Sequence, residues 1–178
     1  MIPVSDVAVI AGTHRALLCG SVPVGPLREN REDIEMILPG ARSVVIVAAP
    51  HSRSAIESRN IQVAQHDTIH AYDEAARASH AVALWLEGKG HRAVAVPAFI
   101  PIDMSPPKHG MRGAVDWRGA AVAAGIGGYG ESGLLVTGEF GPAVRLGGVV
   151  TDAEVSPGEP LPDTPCVHCK KCVETCPM

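Results

Sequence analysis

Four of the five cysteines fall within the last thirteen residues, as Cys166-Val-His-Cys169-Lys-Lys-Cys172-Val-Glu-Thr-Cys176-Pro177. Two-residue spacers let successive thiolates turn to one side of an iron–sulfur cube while backbone N–H groups point at its sulfides, so C-x2-C-x2-C-x3-C-P reads as a 4Fe-4S binding run. A zinc knot or a disulfide framework is the competing reading, but zinc motifs rarely place three cysteines at even two-residue steps. Cys176 has two assignments. It closes the cluster held by Cys166, Cys169 and Cys172, or it serves a second cluster whose other ligands lie further along a longer polypeptide. A cofactor ligand so near a frayed end favours the longer polypeptide. Cys19 is isolated and reads as a small buried apolar residue.

Other residue types that can do chemistry are weaker signals. His66-Asp-Thr-Ile-His70 puts two imidazoles one helical turn apart, the spacing of a helical zinc site, with Asp67 where a metalloprotease would need Glu. No clear third ligand follows, so polar-face histidines are the plainer reading, with His80 further along the same helix. Asp103 sits among apolar residues and prolines; buried there it would be kept protonated and able to donate a proton, whereas at the surface it would only form a turn. Asp116 stands where a helix N-cap is expected. Gly125-x-Gly127-x-x-Gly130 has the letters of a dinucleotide fingerprint, but a helix precedes it and a strand follows, the reverse of what a pyrophosphate site requires. Its glycines are better suited to close approach by a bulky ligand or another chain segment, and Ser132 with the free N–H groups of the turn could hold a polar edge of such a ligand.

The elements that position these residues follow from patterning. Charged residues on one face and Ile34, Ile37 and Leu38 on the other predict a short helix over 27–38, ended by Pro39-Gly40. The continuous β-branched run 43–49 predicts a strand buried on both faces. Small and apolar residues at helical steps predict a long helix over 61–88, and 92–96 supplies the next strand. Residues 97–113 form an apolar, Pro- and Gly-rich loop of the length that functional lids occupy. A helix over 114–124, the glycine loop 125–133 and strands over 134–137 and 144–151 follow. Residues 156–165 carry four prolines and read as a stiff linker. The organisation expected is a cofactor-binding domain over 1–155 and a linker with the cysteine run over 156–178.

A 178-residue chain suffices for one core plus this appendage. Its net charge of −4 argues against nucleic-acid binding, which needs a basic stripe. With 46% hydrophobic but only 3% aromatic residues, the core must be Ala, Val, Leu and Ile, so a large planar cofactor would need a cavity made by loops. No basic start precedes an apolar stretch, which predicts a cytoplasmic protein without a membrane span, a location suited to free thiols.

Residues 120–141, the stretch Arg145-Leu-Gly-Gly-Val-Val-Thr-Asp152 and the cysteine run together resemble the epoxyqueuosine reductases and the related reductive dehalogenases. In those families an "AGLGxxGxxxLL" loop, a "GxxxxLGxxLTD" strand and a cysteine run occur in this order. The resemblance covers roughly the last 65 residues. It implies a nitroreductase-like α/β sandwich, with a mixed or antiparallel sheet flanked by helices, that binds cobalamin without a protein histidine ligand and precedes a ferredoxin-like module. Electrons would pass from the 4Fe-4S cluster to the corrinoid and then to a small substrate. Phe99, Ile100, Ile102 and Met104 on one side, with Gly127, Gly128, Tyr129 and Ser132 on the other, would hold the corrinoid. Asp103 would donate protons, and a ferredoxin or flavodoxin type of donor would supply electrons. Two departures stand out: a second cysteine run is absent, and the "VDSAP"-like segment reads Val96-Pro-Ala-Phe-Ile-Pro101. Both this segment and the missing basic surface argue against a transfer-RNA substrate. Two alternatives are a non-catalytic electron-transfer protein serving a partner, and a flavin protein holding FMN.

Overall fold

A computed structural model of the chain describes residues 1–27, 31–96, 104 and 113–177. Its centre is a four-stranded antiparallel sheet in the order β1-β2-β6-β3, built from β1 (Leu18–Pro23), β2 (Ser43–Pro50), β3 (Ala93–Val96) and β6 (Val144–Thr151). The predicted strand over 43–49 and the strand over 144–151 pair with each other, Val45 opposite Val149 and Ala48 opposite Leu146. Because side chains alternate across a strand, β2 feeds two cores. Val45 and Val47 face α1 (Val4–Gly12) and α4 (Ile61–Gly88), which follows the short α3 (Arg53–Ile56), while Val44 and Ile46 face α2 (Arg31–Ile37) and α5 (Trp117–Ala123). The result is helices on both faces of an antiparallel sheet, the α/β sandwich expected.

Helix α4 shows how an aromatic-poor core is packed. Its buried residues are Ala71, Ala75, Ala78, Ser79, Val82, Ala83 and Leu86, a stripe of mostly small side chains at helical spacing. Small residues let the helix lie close on β6, where a Cβ placed on Gly147 would stand only 3.1 Å from the Ser79 Oγ. Asn60 caps the helix by accepting the Gln62 N–H at 3.0 Å. At the other end, Gly90 takes a left-handed φ of +86° and turns the chain toward β3.

The junction of β3 and β6 is tied by charge. Asp152 accepts the Arg92 backbone N–H at 2.9 Å and its Nε at 2.8 Å, and Arg92 also donates to the Pro39 carbonyl at 2.8 Å. The hydrogen bond from the Arg92 side chain holds the Asp152 carboxyl below the usual range, against a smaller opposing effect of burial. The pair's contribution is therefore fully present above the unfolded carboxyl value of about 3.9 and is lost as pH falls through the lowered folded value. In urea titrations, Asp152→Asn should unfold earlier than the unaltered chain at pH 7, and the gap should close as the pH is taken below about 4. A gap independent of pH would disprove the linkage.

No described helix is long and apolar enough to cross a membrane.

Candidate functional site

Beyond β6 the chain runs back across the end of α5. Gly158 donates to the Ser21 carbonyl at 2.9 Å, and the Glu159 carbonyl lies against the bare Cα of Gly125. The Thr164 hydroxyl then donates to the Tyr129 carbonyl at 2.8 Å, and the Cys166 N–H donates to the Thr164 hydroxyl at 3.3 Å. These bonds seat the start of the cysteine run on the glycine loop. His168 and Lys170 take left-handed backbone angles, φ 51° and 58°, which turn the chain twice before α6 (Lys171–Glu174) presents Cys172. Cys166 is half-buried, and Cys169, Cys172 and Cys176 are exposed. The His168 Nδ1 lies 2.8 Å from Glu131 Oε1, and that hydrogen bond lowers the Glu131 carboxyl from its ordinary range.

Among the described residues, no three of His, Cys, Asp and Glu are gathered closely enough to hold a single metal ion. A zinc knot needs all its sulfurs about 2.3 Å from one centre, whereas in an iron–sulfur cube each thiolate meets its own iron and the sulfurs stand further apart. Cys19 is half-buried, and burial pushes its thiol up to about 12, which leaves it inert as a ligand.

The glycine loop forms a small hairpin, β4 (Gly128–Tyr129) paired with β5 (Leu135–Val136), held by α5 on one side and the cysteine segment on the other. It follows a helix and enters a strand, as its sequence context indicates. A side chain on Gly127 would strike the Val136 carbonyl and one on Gly128 would strike Thr164, so the close approach these glycines permit is to the chain itself. The Ser132 hydroxyl accepts the Leu134 N–H at 3.4 Å within the turn. Tyr129 is about half exposed, with its phenol pushed up by burial and by the charge of Asp116. Asp116 itself caps α5 by accepting the Gly119 N–H at 3.1 Å.

Leu134 and Leu135 at the far side of this hairpin line a cleft of about 260 Å³, partly open to solvent, whose other walls come from Trp117 and Arg118 of α5, Tyr72 of α4, Pro142 and the first three residues of β6. Its polar end is Arg145. The guanidinium carbon lies 4.8 Å from the centre of the Tyr72 ring, a cation–π contact, while the buried Nε has no hydrogen-bond partner among the described residues. A buried donor without a partner costs about 1–3 kcal/mol, which a ligand acceptor would recover. Arg118 donates to the Gly133 carbonyl at 2.9 Å and so braces the loop from the cleft side.

Of the residues expected from sequence to hold a ligand, Phe99, Ile100, Ile102 and Asp103 lie outside the described residues, and Met104 is exposed. Gly127, Gly128, Tyr129 and Ser132 are brought beside the cysteine run, but the cleft wall is made by their neighbours Leu134 and Leu135. Tyr72, Trp117 and Arg145 were not singled out by sequence. The available signal was Arg145 itself, a charge inside the otherwise apolar run of β6. His66 and His70 have Nε2 atoms 3.3 Å apart on α4, and Asp67 faces away from them: it accepts the His51 Nδ1 at 2.6 Å and the Ser52 N–H at 3.1 Å.

No protein-family model matches the sequence. Among curated proteins, an epoxyqueuosine reductase of Gloeobacter violaceus is 30% identical over 153 residues, covering 83% of this chain and 44% of that protein. A tetrachloroethene reductive dehalogenase of Dehalobacter restrictus is 29% identical over 139 residues, covering 76% of this chain and 23% of the relative. The chain thus spans less than half the length of these relatives. Among solved structures, an epoxyqueuosine reductase with a transfer-RNA stem loop superposes with a TM-score of 0.65 at 17% identity, over 97% of this chain and 51% of that one. A reductive dehalogenase described with a mechanism for B12-dependent dehalogenation gives 0.62 at 18% identity, over 88% and 20%. At those identities the structural likeness speaks to the fold.

Proposed function

The chain belongs to the family of epoxyqueuosine reductases and reductive dehalogenases, and we propose from that premise that it is the cofactor-handling part of an iron–sulfur-dependent reductase acting on a small substrate. Bound at their sites, a 4Fe-4S cluster and a corrinoid would supply one-electron transfer and a reducing metal centre. The observation that carries the reading is the shared hairpin, which receives the cysteine segment at Tyr129 and Gly130 and lines the cleft with Leu134 and Leu135. Electron transfer needs donor and acceptor close together, and a hairpin shared by both sites would keep them so.

Each residue then has a task. Cys166, Cys169 and Cys172 hold one cluster, and Cys176 completes it or serves a second. The exposed face of this segment is where a ferredoxin or flavodoxin type of donor would dock. A cleft of about 260 Å³ has room for a small substrate and is too small to enclose a whole corrin. The apolar wall of Leu134, Leu135 and Leu146 would seat the apolar part of the substrate, and Arg145 would stabilise negative charge that reduction develops on it. The Tyr72 ring lies against that guanidinium, which makes its phenol one candidate proton donor and Asp103 the other.

Anaerobic reconstitution of the chain with iron, sulfide and hydroxocobalamin, followed by metal counting, tests the proposal. About four irons and one cobalt per chain are expected for a single cubane with its acceptor. Zinc in place of iron, or a flavin retained in place of cobalt, would overturn it.

A further inference from the structure

The geometry points to a second metal site, unrelated to the cysteines: His66 and His70 form a two-imidazole chelate for a divalent transition ion, zinc first, on the exposed N-terminal part of α4. Residues four apart on a helix stand over one another, and here the two outer ring nitrogens, both Nε2, converge to 3.3 Å. The rings are nearly perpendicular, at 85°, with centroids 4.4 Å apart.

Two nitrogens bound about 2.0–2.1 Å from one tetrahedral zinc stand about 3.3–3.4 Å apart, so the observed separation is the edge of a zinc tetrahedron. Without the ion, the N–H of one ring lies within hydrogen-bonding distance of the Nε2 of the other. A square-planar ion with right-angled ligands wants a shorter edge, about 2.8–3.0 Å at the same bond length, and hard ions such as magnesium prefer oxygen donors.

The surroundings leave the site open. No residue in 61–70 is fully buried, and the buried stripe of α4 begins only at Ala71. Both histidines are exposed, and the acid between them is committed to His51, so it neither blocks nor completes the coordination. Zinc would therefore bind two imidazoles and take its remaining ligands from solvent, clamping two turns of a helix segment that the core does not hold.

The cysteine thiolates also bind zinc, so the test is a difference. In equilibrium dialysis against zinc, the full chain should hold about one ion more than His66→Ala or His70→Ala, whereas His80→Ala, on the same helix, should match the unaltered chain. In NMR spectra, the imidazole signals of His66 and His70 should move together in the later part of the titration, after the thiolates are filled. Equal zinc uptake by all four proteins, or ring signals that stay in place while the extra ion binds, would overturn the site.

Discussion

Cys172→Ser should strip most of the iron from the reconstituted chain and lower any reductase turnover by about a hundredfold or more, while leaving the unfolding midpoint of the iron-free protein unchanged. Cys172 sits exposed in the short α6 and has no packing role, so its loss costs the apo fold nothing. As a corner ligand of a cubane it is different, because a serine oxygen is a poor substitute for thiolate at iron. Cys19→Ala gives the contrast. That thiol is half-buried against the core and protonated, so iron should be retained and stability altered instead. Cys176→Ser then resolves the assignment left open by sequence: iron loss comparable to that of Cys172→Ser makes it the fourth ligand of the same cluster, and full retention assigns it elsewhere. Iron measured by plasma emission, beside the broad visible absorption of the cluster, gives the readout. Full iron content in Cys172→Ser would remove the basis of the proposed function.

How far the sequence could be read depended on how strongly each segment's own pattern dictated its state. The helix predicted over 61–88 is α4 to the residue, because its small apolar residues recur at helical steps and a glycine pair ends it. The run 43–49 had no alternative as a strand, and its burial on both faces is the observed one. By contrast α1 and β1 were not predicted. Helix α1 starts behind Pro3 with no side-chain cap, and β1 contains Gly20 and ends at Pro23, residues that weaken a strand signal yet are tolerated at a sheet edge. The strand expected over 134–137 shrinks to Leu135–Val136 because it closes a hairpin rather than joining the main sheet. The same cause explains the glycine loop. Sequence offered a ligand or another chain segment for the space above Gly127 and Gly128 and assigned both glycines to the ligand; Val136 and Thr164 are what the tertiary packing places there. Arg145 was missed because a single charge in a strand is ordinary until its neighbours are known to enclose it.

Gly148→Ala should destabilise the chain by about 3 kcal/mol, the upper end of what overpacking does, whereas Gly147→Ala one residue earlier should cost about 1 kcal/mol. The two glycines lie on opposite faces of β6, the strand that pairs with β2 on one side and β3 on the other. A Cβ on Gly147 meets the Ser79 hydroxyl at 3.1 Å, and that side chain can give by a few tenths of an ångström. On Gly148 it would collide with the Val45 carbonyl, which the paired strands hold in place, and with the Trp117 ring. Neither can retreat cheaply. The backbone of β2 is buried throughout, and Trp117 opens α5 and lines the cleft beside Arg145. The substitution should therefore act twice, lowering the urea midpoint and shifting the Trp117 fluorescence as the ring is pushed into the cleft. Gly147→Ala should change neither by comparable amounts. If Gly148→Ala unfolds at the same urea concentration as the unaltered chain, the Trp117 wall is loose, and the cleft cannot hold Arg145 in the geometry on which charge stabilisation depends.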